Sequence, residues 1–281
     1  MIAHRGLCVF VFMEFVSGRY KQINCKCGED ARLRRCPDSS PIILSMSIAD
    51  NIAAIRDRMA RAAAKVGRNP DSVMLMGVSK TVEPERIKEA YAAGIRVFGE
   101  NRVQEFGEKS ATLADLKDAE WHLIGHLQSN KSNKAVEMFH AIDSVDSLRL
   151  SERLNEAAKQ SGKKLPVLIE IKVGEEESKA GIPLDSPELD TLLLAAPRLD
   201  TLQIRGLMTV PPFTEDPEGA RPYFRLLRDL RDTLALRKLP GIQMDVLSMG
   251  MSHDFEVAIE EGSTCVRVGS AIFGARPKSA A

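Results

Sequence analysis

Lys80 is the residue whose type and position most directly suggest chemistry. It follows the mostly apolar run Val73–Val78, so a strand ending there would hold the lysine at the rim of a buried sheet. Partial desolvation lowers the pKa of an amine and exposes its neutral form, which can form a Schiff base with an aldehyde. A solvated lysine at a strand end is the alternative interpretation.

Two segments near the C-terminus combine glycine and serine in a way that could bind an anion. SMGMS at 248–252 and VGSAIFG at 268–274 each place small residues before the expected start of a helix. Backbone N–H groups at a helix N-terminus, together with serine hydroxyls, can bind phosphate. Ordinary Gly/Ser turns would explain either segment alone, but two at adjacent strand ends favour a phosphate site. The residues expected to take part are Ser248, Gly250, Ser252, Gly269 and Ser270.

Arg267 is expected to point into the interior of the protein. In the last apolar run it alternates with Val266 and Val268, so it shares a strand face with Cys265. A buried guanidinium requires an acceptor. The ring nitrogen or the phosphate of a ligand could provide one, and an internal ion pair with Glu170 is the alternative.

The hydrophobic pattern indicates the scaffold that must position these residues. From Ser47 onward, short apolar runs alternate with helical stretches, and eight such units predict an α/β fold, a (β/α)8 TIM barrel. In such barrels the functional residues lie at the carboxyl ends of the strands. A doubly wound parallel sheet is the structural alternative. The runs are Val73–Val78, Ile95–Gly99, Trp121–Gly125, Ala141–Val145, Val167–Val173, Ile204–Val210, Val246–Gly250 and Cys265–Gly269.

An additional helix is predicted before the first strand. Ser47 and Asp50 resemble a capping box that opens a helix. Apolar residues then recur at helical spacing, and Val66 is expected to close the stripe. The other predicted helices are Pro84–Ala93, Asp146–Gln160, Ser186–Ala196 and Pro217–Arg237.

Residues 1–45 match no strand–helix unit, although they hold four of the five cysteines. We expect an extension that is poorly ordered or that results from an upstream start codon, with Met46 as the alternative start. Its short apolar run is interrupted by Glu14, which argues against a signal peptide. The Cys-x-Cys spacing without a nearby histidine gives weak support to a zinc site. We therefore divide the chain into an extension 1–45, a barrel 46–276 and a tail 277–281.

Composition excludes several classes of protein. Lys+Arg and Asp+Glu are both 39, and this balance argues against a general nucleic-acid binder, which needs a basic surface. No apolar run approaches the ~20 residues that span a bilayer, so we expect no membrane insertion. The single cysteine of the body, Cys265, is typical of a cytoplasmic protein without disulfides.

A reactive lysine, a phosphate cradle and a buried arginine together suit a phosphorylated aldehyde, pyridoxal 5′-phosphate (PLP). Several segments resemble the PLP homeostasis protein family of YggS/PROSC type, and the resemblance runs from about Met46 to Arg276. The segments are VSKT (78–81), FGENRVQE (98–105), WHLIGHLQSNK (121–131), IDSVDS (142–147), GLMTV (206–210) and LSMGMSHDFEVAIEEGSTCVRVGSAIFG (247–274).

The resemblance implies a fold-type III PLP barrel, related to the N-terminal domain of alanine racemase. In this family Lys80 matches the lysine of the internal aldimine, and Arg267 matches the arginine that faces the pyridine nitrogen. The serines of 248–252 and the Gly269–Ser270 turn match phosphate-binding elements. The residues expected to line the rest of the pocket are Asn101, His126 and Met208, the last of which also suits packing.

The function implied by the resemblance is PLP binding and supply within the cell, without robust turnover. Apo forms of PLP-dependent enzymes are the expected recipients. We expect a monomer, because no dimerising β-domain follows the last predicted strand.

A PLP-dependent amino-acid racemase is the alternative function. Racemisation requires proton donors on both faces of the Cα carbanion. None of the three tyrosines, Tyr20, Tyr91 and Tyr223, lies at a predicted strand end, so no second base is evident. A Schiff-base aldolase for phosphosugars is a third possibility that shares the lysine and the phosphate site but lacks a pyridine contact.

Overall fold

The computed structural model describes residues 11–16, 19–24, 47–174, 176 and 180–274. The chain divides into two compact units, Met1–Ser45 and Met46–Ala281. In the first unit, β1 (Val11–Val16) and β2 (Arg19–Asn24) pair as an antiparallel hairpin. The rest of the predicted extension and the tail 277–281 lie outside the described residues, so the assigned domain boundaries stay a prediction.

The second unit is a closed barrel of eight parallel strands. Neighbouring strands pair in chain order, and the ring closes because the last strand pairs with the first. The predicted (β/α)8 barrel is confirmed, and the doubly wound alternative is wrong because that sheet would stay open. The barrel strands are β3 (Met74–Val78), β4 (Val97–Glu100), β5 (Glu120–Leu123), β6 (Ala141–Val145), β7 (Leu165–Lys172), β9 (Leu202–Met208), β10 (Ile242–Met251) and β11 (Cys265–Val268), while β8 (Ile182–Pro183) pairs with β7 alone.

Helices connect the barrel strands, and the five helices predicted from the sequence are present with ends shifted by a few residues. Two others, α3 and α4, were not predicted. The helices of the described residues are α1 (Ile48–Lys65), α2 (Pro84–Ala92), α3 (Val103–Lys109), α4 (Ser132–Met138), α5 (Leu148–Gln160), α6 (Pro187–Ala195), α7 (Arg221–Arg237), α8 (Phe255–Glu260) and α9 (Ser270–Phe273). In this described part of the chain, no helix is both long and apolar enough to cross a membrane.

The additional helix α1 begins at the predicted capping box. The Asp50 N–H donates to Ser47 Oγ at 3.1 Å, and the Ser47 N–H donates to Asp50 Oδ2 at 3.2 Å. The apolar stripe from Ile48 to Met59 is buried against α2, α8 and α9. The expectation for Val66 is wrong, because this residue follows the last helical turn and is 43% exposed.

Two apolar clusters reflect the two faces of the barrel strands. The larger one joins the strands to the helices around them. The smaller one consists of Met76, Val97 and Cys265, which project into the barrel interior, together with partly buried neighbours. Cys265 and Arg267 share a strand face, so the arginine also points inward.

Candidate functional site

A cavity of about 370 Å³ opens at the carboxyl ends of β3, β10 and β11. Small-molecule sites in proteins usually occupy about 300–1,000 Å³, so the cavity can hold a compact ligand. Five of the residues predicted from the sequence line it: Lys80, Ser252, Arg267, Gly269 and Ser270.

Lys80 lies two residues beyond the end of β3 and is half-buried at the cavity. Before it, the Ser79 N–H donates to Gly99 O at 3.0 Å, which extends the pairing between β3 and β4. After it, Thr81 has φ 58°, a left-handed conformation that costs a residue with a side chain about 1–2 kcal/mol. The chain therefore turns sharply at Lys80.

Arg267 is 3% exposed and has two hydrogen-bond acceptors, one on the neighbouring strand β10 and one just beyond the end of β9. Nη1 donates to Ser248 Oγ and Nη2 to Thr209 O, both at 2.7 Å. Burial lowers the pKa of Arg267, while Cys265 and nearby carboxylates oppose that shift. The guanidinium is thus fixed at the base of the cavity.

Glu170 was the alternative partner considered for Arg267. Among the described residues, no ion pair joins the two side chains, and Glu170 Oε2 is buried without a hydrogen-bond partner. Burial raises the pKa of Glu170 to about 7, although Arg267 partly opposes the shift. The structure therefore gives Arg267 a hydroxyl and a carbonyl as acceptors.

The two segments predicted to bind phosphate meet at the wall of the cavity where α9 begins. Ser252 Oγ accepts hydrogen bonds from Gly269 N at 3.2 Å and Ala271 N at 3.3 Å. Gly250 makes the turn before Ser252 possible: its φ is +95°, and a Cβ there would lie 2.5 Å from Ala258 Cβ. A serine hydroxyl and backbone N–H groups therefore converge where α9 begins.

The remaining predicted site residues do not line this cavity. Ser248 and Met208 are fully buried, and Ser248 acts through Arg267. Asn101 follows β4 and leaves no room for a side chain at Gly125, where a Cβ would lie 2.4 Å from Asn101 O.

His126 lies at a second cavity of about 420 Å³, formed beyond the ends of β5 and β6. Its Nδ1 is 2.9 Å from Asp146 Oδ2, and 59% of its side chain is exposed. The structure therefore separates His126 from the cavity at Lys80.

Sequence reasoning missed several residues that line the first cavity, notably Thr81, Arg86, His253 and Phe273. Arg86 donates a hydrogen bond from Nη2 to Phe273 O, which links α2 to the end of α9. Its position in the first turns of the helix after Lys80 was the signal that could have identified it. With Lys80 and Arg267 it makes the cavity predominantly cationic, since Glu83 is the only carboxylate among its lining residues in the described chain.

His122 lies at the other end of the barrel, in a cavity with Asp143. Burial opposes protonation, but the charge and the hydrogen bond of Asp143, with help from Glu120, raise the pKa of His122 to about 9. A histidine with a raised folded-state pKa stabilises the fold fully below its unfolded pKa of about 6.5, and this contribution is lost as pH rises through about 9. We expect the free energy of unfolding to fall by at most about 3 kcal/mol over this range.

Urea unfolding between pH 6 and pH 10 would measure this loss. In the His122→Gln variant, which cannot titrate, the slope in this window should be clearly smaller. Equal slopes in the two proteins would contradict the assignment of the raised pKa to His122.

Similarity to known proteins defines the class of barrel to which this chain belongs. The sequence profile described as "Alanine racemase, N-terminal domain" matches residues 49–277. An alanine racemase from Streptomyces coelicolor superposes with a TM-score of 0.62 over 83% of this chain and 60% of that chain, and its 20% identity shows likeness of fold alone. The protein is thus a barrel of the alanine racemase N-terminal type.

Relatives with higher identity specify the family. The Pyridoxal phosphate homeostasis protein of Aquifex aeolicus is 45% identical over 232 residues, which cover 82% of this chain and 99% of that protein. The protein of the same name from Escherichia coli K12 is 44% identical, with 83% and 98% covered. The structure of PipY from Synechococcus elongatus with PLP bound is 39% identical, with a TM-score of 0.71 over 81% of this chain and 100% of that chain. The chain belongs to the pyridoxal phosphate homeostasis protein family.

Proposed function

We propose that this protein binds PLP in the cavity at Lys80 and serves in PLP homeostasis. The observation that carries the proposal is that a lysine, a buried arginine and a set of N–H and hydroxyl groups converge on one cavity. The PLP-bound structure of the relative PipY supports it. When bound, PLP supplies a reactive aldehyde and an electron-withdrawing pyridine ring.

The chemistry of the cavity fits the phosphate group. The Gly269 and Ala271 N–H groups converge at the start of α9, where both donate to Ser252 Oγ, and a phosphate bound there would replace that hydroxyl as their acceptor. Such converging backbone donors suit an anion. The positive charge of Arg86, which lines the same cavity, favours the same group. We assign the phosphate to this wall.

The lysine and the arginine have different assignments. Lys80 would hold the cofactor covalently through its amine, because it is a half-buried lysine at the cavity rim. Arg267 would face the pyridine nitrogen from the base of the cavity. A guanidinium is a donor only, so the ring nitrogen would be an unprotonated acceptor. That state weakens the ring as an electron sink.

We further propose that turnover is slow. Amino-acid racemisation is the second candidate function, because the chain matches the alanine racemase N-terminal domain. Among the described residues at the cavity none is a tyrosine, and the Tyr91 hydroxyl bonds to Asp118 on the surface. With Lys80 as the only base assigned, a proton removed from Cα returns to the same face. We also propose that the protein supplies PLP to apo-enzymes, that it is a monomer and that it lies in the cytoplasm.

Mixing the PLP-loaded protein with an apo form of a PLP-dependent enzyme tests this function. We expect activity of the recipient to appear, with alanine racemisation by the protein far below ordinary enzymatic rates. Free PLP at the same concentration is the control. Racemisation at about 1–10³ per second that disappears in Lys80→Ala would overturn the carrier assignment.

A further inference from the structure

Lys109 is a buried lysine on α3 that the assigned PLP contacts do not use. It is 8% exposed, and its Nζ lies 2.8 Å from Glu100 Oε1 and 2.9 Å from Ser79 O. A second carboxylate, Glu105 Oε1, lies 3.8 Å away. Nζ therefore contacts the backbone immediately before Lys80.

Every polar group of Ser79 is held in place. Its N–H donates to Gly99 O at 3.0 Å, and its hydroxyl donates to Glu100 Oε1 at 2.5 Å. Its carbonyl accepts from Lys109 and also from the Val82 N–H at 3.1 Å. The residue before Lys80 is thereby fixed by hydrogen bonds to β4, to α3 and to the loop that follows Lys80.

The residue after Lys80 is held by the same helix. The Thr81 N–H donates to Glu105 Oε1, and this bond supports the left-handed conformation of Thr81. Glu105 and Lys109 both belong to α3, whose position relative to β3 is set by the packed core. One helix therefore fixes the peptide on both sides of Lys80.

Stability alone gives little reason for this arrangement. A buried ion pair contributes weakly to folding, because desolvation of the two charges offsets their attraction. The pair here is also incomplete, since Glu100 Oε2 is buried without a hydrogen-bond partner. Apolar side chains would fill the space at similar stability but could not bind the Ser79 carbonyl.

We propose that Lys109, Glu100 and Glu105 form a positioning network that fixes the backbone around Lys80 and so sets the rate at which its amine reacts with the PLP aldehyde. This inference rests on the proposed function of Lys80. The network touches the backbone beside the reacting residue, so its members are positioning residues. Its loss should slow covalent attachment while leaving non-covalent recognition of the phosphate and ring intact.

Glu105 provides the sharper test, because its side chain is 27% exposed and its removal does not leave a deeply buried charge unpaired. We expect Glu105→Ala to slow PLP attachment at least tenfold, measured by absorbance and by borohydride trapping. Affinity for pyridoxine 5′-phosphate, which lacks the aldehyde, should stay within twofold. Glu105→Gln keeps the acceptor for the Thr81 N–H and should restore the rate.

Glu108→Ala is the matched control, because it removes a carboxylate from the same helix at an exposed position. It should react at the wild-type rate. A double variant, Lys109→Met with Glu100→Gln, removes the buried pair without stranding a charge, and should also react at least tenfold slower.

The outcomes separate this inference from the function on which it rests. Wild-type rates in both Glu105→Ala and the double variant would overturn the network. A loss of pyridoxine 5′-phosphate affinity equal to the loss of rate would also overturn it, because the defect would then be general. Failure of PLP to attach to Lys80 in the wild-type protein would instead overturn the proposed function.

Discussion

Replacing Lys80 by alanine should abolish covalent attachment of PLP. Borohydride reduction of the wild-type protein followed by peptide mapping should place the adduct on Lys80, and the variant should carry none. We expect this because Lys80 is the only lysine among the described residues that line the cavity. We expect retention of PLP after gel filtration to fall at least ~100-fold, equivalent to about 2.7 kcal/mol of binding free energy.

Lys131→Ala is the matched control, because Lys131 belongs to the same set of family-like segments but lies outside this cavity. In this variant the PLP adduct on Lys80 should form as in the wild-type protein. An adduct that maps to Lys131, or that persists in Lys80→Ala, would show that another amine holds the cofactor.

Replacing Ser270 by aspartate should weaken PLP binding strongly. The new carboxylate would lie at the start of α9, where we assign the phosphate. Repulsion between two unit charges at 4 Å is about 1 kcal/mol in water and about 4 kcal/mol near a protein surface, which corresponds to a roughly 5- to 1,000-fold loss of affinity. An acidic residue at a helix N-terminus favours the helix, so a folding defect is not the expected cause.

Titration with PLP and with pyridoxal separates the charge effect from loss of the pocket. Pyridoxal lacks the phosphate, and its weak binding should be the same in Ser270→Asp and wild type. Ser270→Ala removes the hydroxyl without adding charge and should lose less than Ser270→Asp. Unchanged PLP affinity in Ser270→Asp would place the phosphate elsewhere.

The strands were predictable because a parallel barrel buries both strand faces, so each strand appears as an apolar run. The runs Ala141–Val145 and Cys265–Gly269 match β6 and β11 within one residue. Helices α3 and α4 span only seven residues each, and two turns carry too little periodicity to stand out.

The part of the site that could be predicted consists of residues that follow strand ends. Lys80, Ser252 and Ser270 meet because the carboxyl ends of parallel strands share one rim. Met208 and Ser248 lie within their strands, where the side chains are buried, and they do not line the cavity, so their predicted role at the cofactor stays a prediction. Contacts such as Lys109 to Ser79 join residues 30 positions apart and leave no local signal.

The pairing of β11 with β3 has a consequence for folding of the chain during its synthesis. Val268 pairs with Gly77, so the strand that leads into α9 lies beside the strand that leads to Lys80. The two halves of the site are therefore the first and last barrel segments to leave the ribosome. If PLP binds in this cavity as proposed, a nascent chain would have no PLP site until the final strand joins the ring, and cofactor capture would then report a completed barrel. At a PLP concentration 100 times Kd, binding would stabilise that closed ring by about 2.7 kcal/mol.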